Sequence, residues 1–205
     1  MIKINNLYIN FQTEIIYNDF SLIINKGEKV AITGRSGMGK STLLNLLAGF
    51  IPEFKGQVSI NNLTLNHKTI NEIRKLIAWL PQEITLKFNT VNELFFAPFE
   101  FDLNKNKKPS KQEISELFNT FELSTNLLSK DLKEISGGQK QRIVLASCLL
   151  LNKPILLIDE PTSALDNSIK EKVADYIFNK KDLTVIAVTH DNYWAENSDK
   201  VVHLG

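Results

Sequence analysis

Gly34-Arg35-Ser36-Gly37-Met38-Gly39-Lys40-Ser41-Thr42 is the stretch on which the reading of this chain turns. It fits G-x-x-x-x-G-K-[ST], a pattern whose glycines let successive backbone N–H groups point at a single phosphate. The flanks agree with it. Glu28 to Thr33 is an apolar run of strand type bounded by Lys26-Gly27, and Lys40 to Ala48 is an apolar helical run that closes at Gly49 with Pro52 soon after. Strand, glycine loop and helix in that order place a helix N-terminus, with its partial positive charge, against the bound phosphate. Lys40 is expected to reach the β- and γ-phosphates and the Ser41 hydroxyl to be a magnesium ligand, with Arg35, Ser36, Met38 and Thr42 inside the same cradle. The expected ligand is a nucleoside triphosphate with Mg2+.

Working outward, Ile155 to Ile158 is a second apolar strand, ending in Asp159-Glu160. An open α/β sheet places its ligand at such strand ends. Asp159 suits a contact to magnesium, and Glu160, one residue on, suits orientation and deprotonation of an attacking water. Guanine recognition is argued against. Asn179-Lys180-Lys181-Asp182 matches N-K-x-D, but it precedes the strand Leu183 to Val188 instead of following one, and no aspartate has glycine three residues later. These four residues are read as a charged helix–strand turn.

The chain has 205 residues, 24 Lys and Arg against 23 Asp and Glu, and a formal charge of +1, so no global field would draw it to nucleic acid or an acidic membrane. No apolar run approaches the roughly 18 residues needed to cross a bilayer, no signal peptide is visible at Met1-Ile2-Lys3-Ile4-Asn5, and one cysteine, Cys148, cannot pair internally. The cytosol is the expected compartment. Further strands are read at Lys3 to Ile9, Ile15-Ile16, Ser21 to Ile24 and Lys75 to Leu80. Thr90-x-x-Glu93 and Ser110-x-x-Glu113 are capping boxes, in a stretch where strand candidates disappear. The expectation is one α/β domain over 1–205: an N-terminal antiparallel β-lobe, a mainly parallel sheet (1–82 and 136–205), and an inserted α-helical lobe at 83–135. Asn104 to Lys111 reads as a solvated loop.

Ile135-Ser136-Gly137-Gly138-Gln139, followed by an apolar helix, is a second serine and glycine turn at a helix start, and one domain rarely needs two phosphate-binding surfaces. With it the chain resembles the ATP-binding cassette (ABC) family over essentially its whole length. The motif order agrees: phosphate loop, Gln82 after Leu80-Pro81, the signature at 135–139, Asp159-Glu160, Ser163-Ala164-Leu165-Asp166, and Thr189-His190-Asp191 at the end of a strand.

The resemblance implies a P-loop NTPase fold and a head-to-tail dimer in which Ser136, Gly137, Gly138 and Gln139 contact the nucleotide held by the other subunit. It implies that Gln82 completes the magnesium and water shell and hinges the helical lobe. It casts His190 as the switch histidine at the γ-phosphate and Asp166 as the link between the two ATP sites. Adenine would stack on an aromatic from the early strands, with Phe11 at the family's position and Tyr8 and Tyr17 as rivals. His67 and His203 are read as structural. Isoleucine stands for leucine at 135, and Ser147 stands where many members carry arginine, so an ion pair in the lobe is expected to be missing. Lys40, Asp159, Glu160 and His190 together imply an active ATPase.

Phe88, Phe95, Phe96, Phe99 and Phe101 crowd into fourteen residues. They read as the core of the lobe or as an apolar groove for a helix of a membrane-embedded partner. The leading function is the ATP-hydrolysing subunit of a bacterial-type ABC transporter, a homodimer before a heterodimer, peripheral on the inner face of the membrane through a separate permease. The rival is a soluble ABC ATPase acting on a macromolecular complex. Cargo and direction are not written in these motifs, although their spacing and Lys140-Gln141-Arg142 bear some resemblance to short metal-export cassettes. No sensor domain is expected after Val201 to Gly205.

Overall fold

The computed structural model describes residues 2–11, 14–82, 87–160 and 165–205, with Asn167 described by its backbone alone. Ser163 and Ala164, and the first residues expected in the lobe, 83–86, lie outside it.

Two sheets form. Strands β1 (Ile2–Phe11) and β2 (Glu14–Ile24) pair antiparallel, and β4 (Lys55–Ile60) and β5 (Leu63–Thr64) extend them in the order β2-β1-β4-β5. The second sheet holds β3 (Lys29–Gly34), β6 (Ile77–Leu80), β7 (Ile155–Asp159), β8 (Thr184–Val188) and β9 (Lys200–Leu204), all parallel, in the order β6-β7-β8-β3-β9. The α/β class with a parallel sheet and an antiparallel lobe is as expected.

Both faces of the parallel sheet are covered at its centre, which is why β7 and β8 are buried along their whole length. Alternate residues serve different cores. Ile155 and Leu157 face the first core, built from the antiparallel sheet and helix α1 (Lys40–Leu47), while Leu156 and Ile158 face the second. Helices α3 (Val91–Phe96), α4 (Lys111–Thr120), α5 (Gly137–Leu150) and α6 (Asn167–Phe178) supply that second core. Helix α2 (Ile70–Leu76) runs directly into β6, and α7 (Asn192–Asn197) precedes β9. Both capping boxes form, Thr90 with Glu93 and Ser110 with Glu113.

Two local expectations need correction, and two further strands are not marked by the sequence. Ile15-Ile16 and Ser21 to Ile24 belong to one strand, because antiparallel pairing with β1 carries the backbone through the polar residues between them. The run from Lys75 is helical to Leu76 and extended only from Ile77, where pairing with Ile155 begins. Lys55–Ile60 is a strand that Gly56 and Gln57 disguise. Val201 to Leu204 does not trail the last strand: it is most of β9, the edge strand beside β3.

Of the five phenylalanines, Phe95 and Phe99 are buried in the second core at 0% and 1% exposure, Phe88 and Phe96 are half-buried against it, and Phe101 is 65% exposed. Phe99 therefore cannot line a surface groove. Ser147 is fully buried in α5, and in place of an ion pair its Oγ donates to the Phe95 carbonyl at 2.6 Å, tying α5 to α3. Helix α5 also packs against α4 and β6, so the helix that Ser136 caps is shared between the helical segment and the sheet.

Candidate nucleotide site

Loops converge at the C-terminal ends of β3, β7 and β8, adjacent in the sheet through β8. The loop after β3 curls around its own lysine. Lys40, only 8% exposed, donates from Nζ to the carbonyls of Gly34 at 2.7 Å and Arg35 at 2.9 Å. Gly37 and Gly39 take φ of 86° and 82°, backbone that L side chains rarely adopt. A Cβ on Gly39 would stand 2.5 Å from Ile16 Cγ2, so the loop is seated hard against β2. Tyr17 completes that seat. It is 4% exposed, its hydroxyl donates to the Gly39 carbonyl at 2.9 Å, and burial pushes its phenol above the usual range. Helix α1 has no side-chain cap and no acidic residue in its first turn, which leaves its N-terminal amides to a bound anion.

Ser36, Gly37, Gly39, Lys40, Ser41, Thr42, Gln82, Asp159, Glu160 and His190 line one cavity of about 430 Å3. Asp159 is buried, which raises its carboxyl pKa, while a hydrogen bond from Ser41 and the charge of Lys40 pull it back down. Glu160 follows β7 with φ of 56°, its amide bonded to the Val188 carbonyl at 2.9 Å. Desolvation is the main cause raising its carboxyl pKa. His190 opposes that shift by its charge and a backbone N–H bond, and Asp159 adds to it. His190 Nε2 lies 3.6 Å from Glu160 Oε1, with its ring largely in solvent. The chemistry available is an anion cradle, a hard oxygen donor set and a carboxylate of raised basicity. Among the described residues no three His, Cys, Asp or Glu side chains gather closely enough to hold a metal ion by themselves. The hydroxyl of Ser41, the carboxylate of Asp159 and the amide oxygen of Gln82 fit a hard cation that shares its shell with phosphate oxygens.

The signature lies outside this cavity. Ser136 and Gln139 form a capping box for α5: Ser136 Oγ accepts from the Gln139 amide at 3.2 Å and Gln139 Oε1 accepts from the Ser136 amide at 3.0 Å. That bond uses the serine oxygen and leaves its proton to donate. Among the described residues a Cβ on Gly137 would meet nothing within 4 Å, so none of them demands glycine there. Asp166 stands at the N-cap position of α6 without a side-chain capping bond and is exposed.

Phe11 is 49% exposed at the end of β1 and lines neither this cavity nor the hollow of about 520 Å3 between β2 and Gly37-Met38. Tyr8 is also exposed, at 40%, and Tyr17 lies beneath the loop. His203 bonds Thr33 Oγ1 through Nδ1 at 2.6 Å, and His67 is exposed after β5. Asn179 to Asp182 form the turn before β8, at the N-terminal ends of the strands, opposite the ends that carry the cavity. Sequence reasoning missed the buried tyrosine under the loop, and it missed Gln141, whose Nε2 donates to the Glu160 carbonyl at 2.8 Å. No local pattern marks either contact, since both join segments distant in the chain.

The sequence profile of the family described as ABC transporter matches residues 17–163. Among curated relatives, the thiamine import ATP-binding protein ThiQ of Histophilus somni is 40% identical over 100% of this chain and 94% of its own length. The probable ABC transporter ATP-binding protein PEB1C of Campylobacter jejuni is 35% identical over 100% and 86%. Among solved structures, the dimeric post-hydrolysis state of the ATP-binding cassette MJ0796 bound to ADP and Pi superposes with a TM-score of 0.83 at 29% identity, covering 100% of this chain and 94% of that one.

Proposed function

Because the chain belongs to the ABC transporter family, we propose that it is the ATP-hydrolysing subunit of a transporter, that it works as a head-to-tail homodimer, and that Glu160 is its catalytic base. It is an ATPase with a P-loop NTPase fold, and its relatives are ATP-binding components of transporters. The observation that carries the assignment is the meeting of Lys40, Ser41, Gln82, Asp159, Glu160 and His190 around one cavity.

ATP supplies the electrophilic phosphorus when it binds, and Mg2+ supplies positive charge against the phosphate oxygens. The amides of Ser36 to Ser41 bind the β-phosphate, and Lys40 exchanges its two carbonyl partners for phosphate oxygens. Ser41, Asp159 and Gln82 hold the cation. Glu160 takes the proton of the attacking water, and the low dielectric that raises its pKa makes it a better base. His190 donates toward the γ-phosphate from beside it.

The other wall of the site comes from the second copy. Its support is the signature turn: a helix N-terminus, a serine hydroxyl with a proton to donate, and a glycine at 137 where the described residues leave open space. Glycine in open space lets something from outside approach the backbone closely. A separate membrane permease receives the force. We place its contact on the helical lobe, at the exposed Phe101 and half-buried Phe96, which holds the subunit at the cytoplasmic face. No helix among the described residues is long and apolar enough to cross a membrane. The cargo is not assigned, since the relatives' names span different systems and nothing in the site addresses a transported molecule.

Glu160→Gln keeps the shape and hydrogen bonding of the base and removes its basicity. ATPase turnover is expected to fall by about 10²- to 10⁴-fold, and an ATP-bound dimer is expected to accumulate on size exclusion. Turnover at the wild-type rate overturns the assignment of the base.

A further inference from the structure

The second turn of α5 is fastened on two sides by neighbouring residues. Arg142 donates from Nη1 to the Phe121 carbonyl at 2.8 Å, on the side of α4. Gln141 donates from Nε2 to the Glu160 carbonyl at 2.8 Å, nineteen residues further along the chain. The second bond lands on an unusual backbone. Glu160 has φ of 56°, a left-handed conformation that a non-glycine residue rarely adopts and that persists only where its surroundings hold it. One fastening comes from the sheet, the Glu160 amide on the Val188 carbonyl at 2.9 Å. Another is Gln141, which sits two residues past Gln139, just after the turn that Ser136 caps.

We infer that Gln141 is a positioning residue: its amide fixes the peptide after Glu160 and so aims the Glu160 carboxylate, linking the turn that meets the partner's nucleotide to the base that acts on this chain's own. The inference rests on the proposed role of Glu160 and deepens it. Direction follows from geometry. A displacement of the N-terminal end of α5 when a phosphate docks on Ser136 is carried along the helix to Gln141 and pulls on the Glu160 carbonyl through its hydrogen bond, with no loop between. The contact is made to backbone, so it needs a donor at 141 and no particular charge at 160. Small misplacement of a catalytic group is costly, on the order of 100-fold for an ångström.

The test compares Gln141→Glu, which matches glutamine in size but presents no N–H, with Gln141→Ala, in the full chain. Wild type and Glu160→Gln serve as controls. Expected for both Gln141 variants is a kcat on the order of 10- to 100-fold lower, with KM for ATP and the folded-state melting temperature close to wild type. On a Glu160→Gln background, ATP-driven dimerisation is expected to survive either substitution, since the nucleotide cradle is untouched. Wild-type kcat in Gln141→Glu overturns the inference. So does a loss of folding or of ATP affinity in both variants, which assigns the residue a structural role only. If Glu160→Gln itself hydrolyses ATP normally, the underlying assignment of the base has failed, and that result is distinct from either outcome at 141.

Discussion

Glu160 is a carboxylate held in a place that suits its neutral form, and the balance is visible in its neighbours. Burial raises its pKa and Asp159 adds to the rise, while His190 pulls the other way. A general base must be deprotonated, so kcat is expected to fall as pH drops through a value above the ordinary glutamate range. Replacing His190 by Gln removes the opposing charge. The acid limb of the residual kcat–pH profile should then move to higher pH, and a limb that stays put or moves down contradicts the pairing seen at 3.6 Å. The acid itself was legible from the sequence because a strand of four apolar residues ends on it. Its environment was not, because the residues that set it come from three loops. Tyr17 shows the same limit: as one aromatic among several in the early strands it read as a rival for adenine stacking, whereas pairing of β2 with β1 turns it under Gly39.

At the level of elements, what could be read locally was read well. Capping boxes at Thr90 and Ser110 and the glycine that opens α1 use atoms three or four residues apart, so the sequence contains the whole interaction. Strand character is different. Lys55–Ile60 and Lys200–Leu204 are strands because β1 and β3 lie beside them, and neither has the unbroken apolar run that marks β7 and β8. Ser147 illustrates how a packed position hides from family comparison. Where an arginine pair was expected to be lacking, the serine hydroxyl caps a carbonyl of α3 inside the core. Ser147→Ala leaves that carbonyl without its partner and should cost about 1 kcal/mol in urea unfolding. An unchanged midpoint would show that the α3–α5 contact does not need it.

For the molecule as a whole, the proposed homodimer has one chain carry both halves of a site that it cannot assemble alone. Lys40→Ala disables the cradle and Ser136→Arg blocks the signature turn, so each variant alone should be inactive. A mixture of the two forms some dimers with one intact composite site, and activity should return, to at most roughly a quarter of wild type by random pairing in a closed two-fold dimer. Absence of any recovery argues against the head-to-tail homodimer. The near-zero net charge fits such self-association, since two copies at +1 repel little. The sheet order has one more effect, on the timing of biosynthesis. Strand β3 carries the phosphate loop and is made early, but it lies between β8 and β9, whose residues come more than 140 positions later. Leu204 packs its carbonyl against Gly34, leaving no room for a Cβ there. A chain still on the ribosome therefore has the loop's sequence without the walls that shape it, and the nascent polypeptide stays inert toward cellular ATP until its final strand emerges.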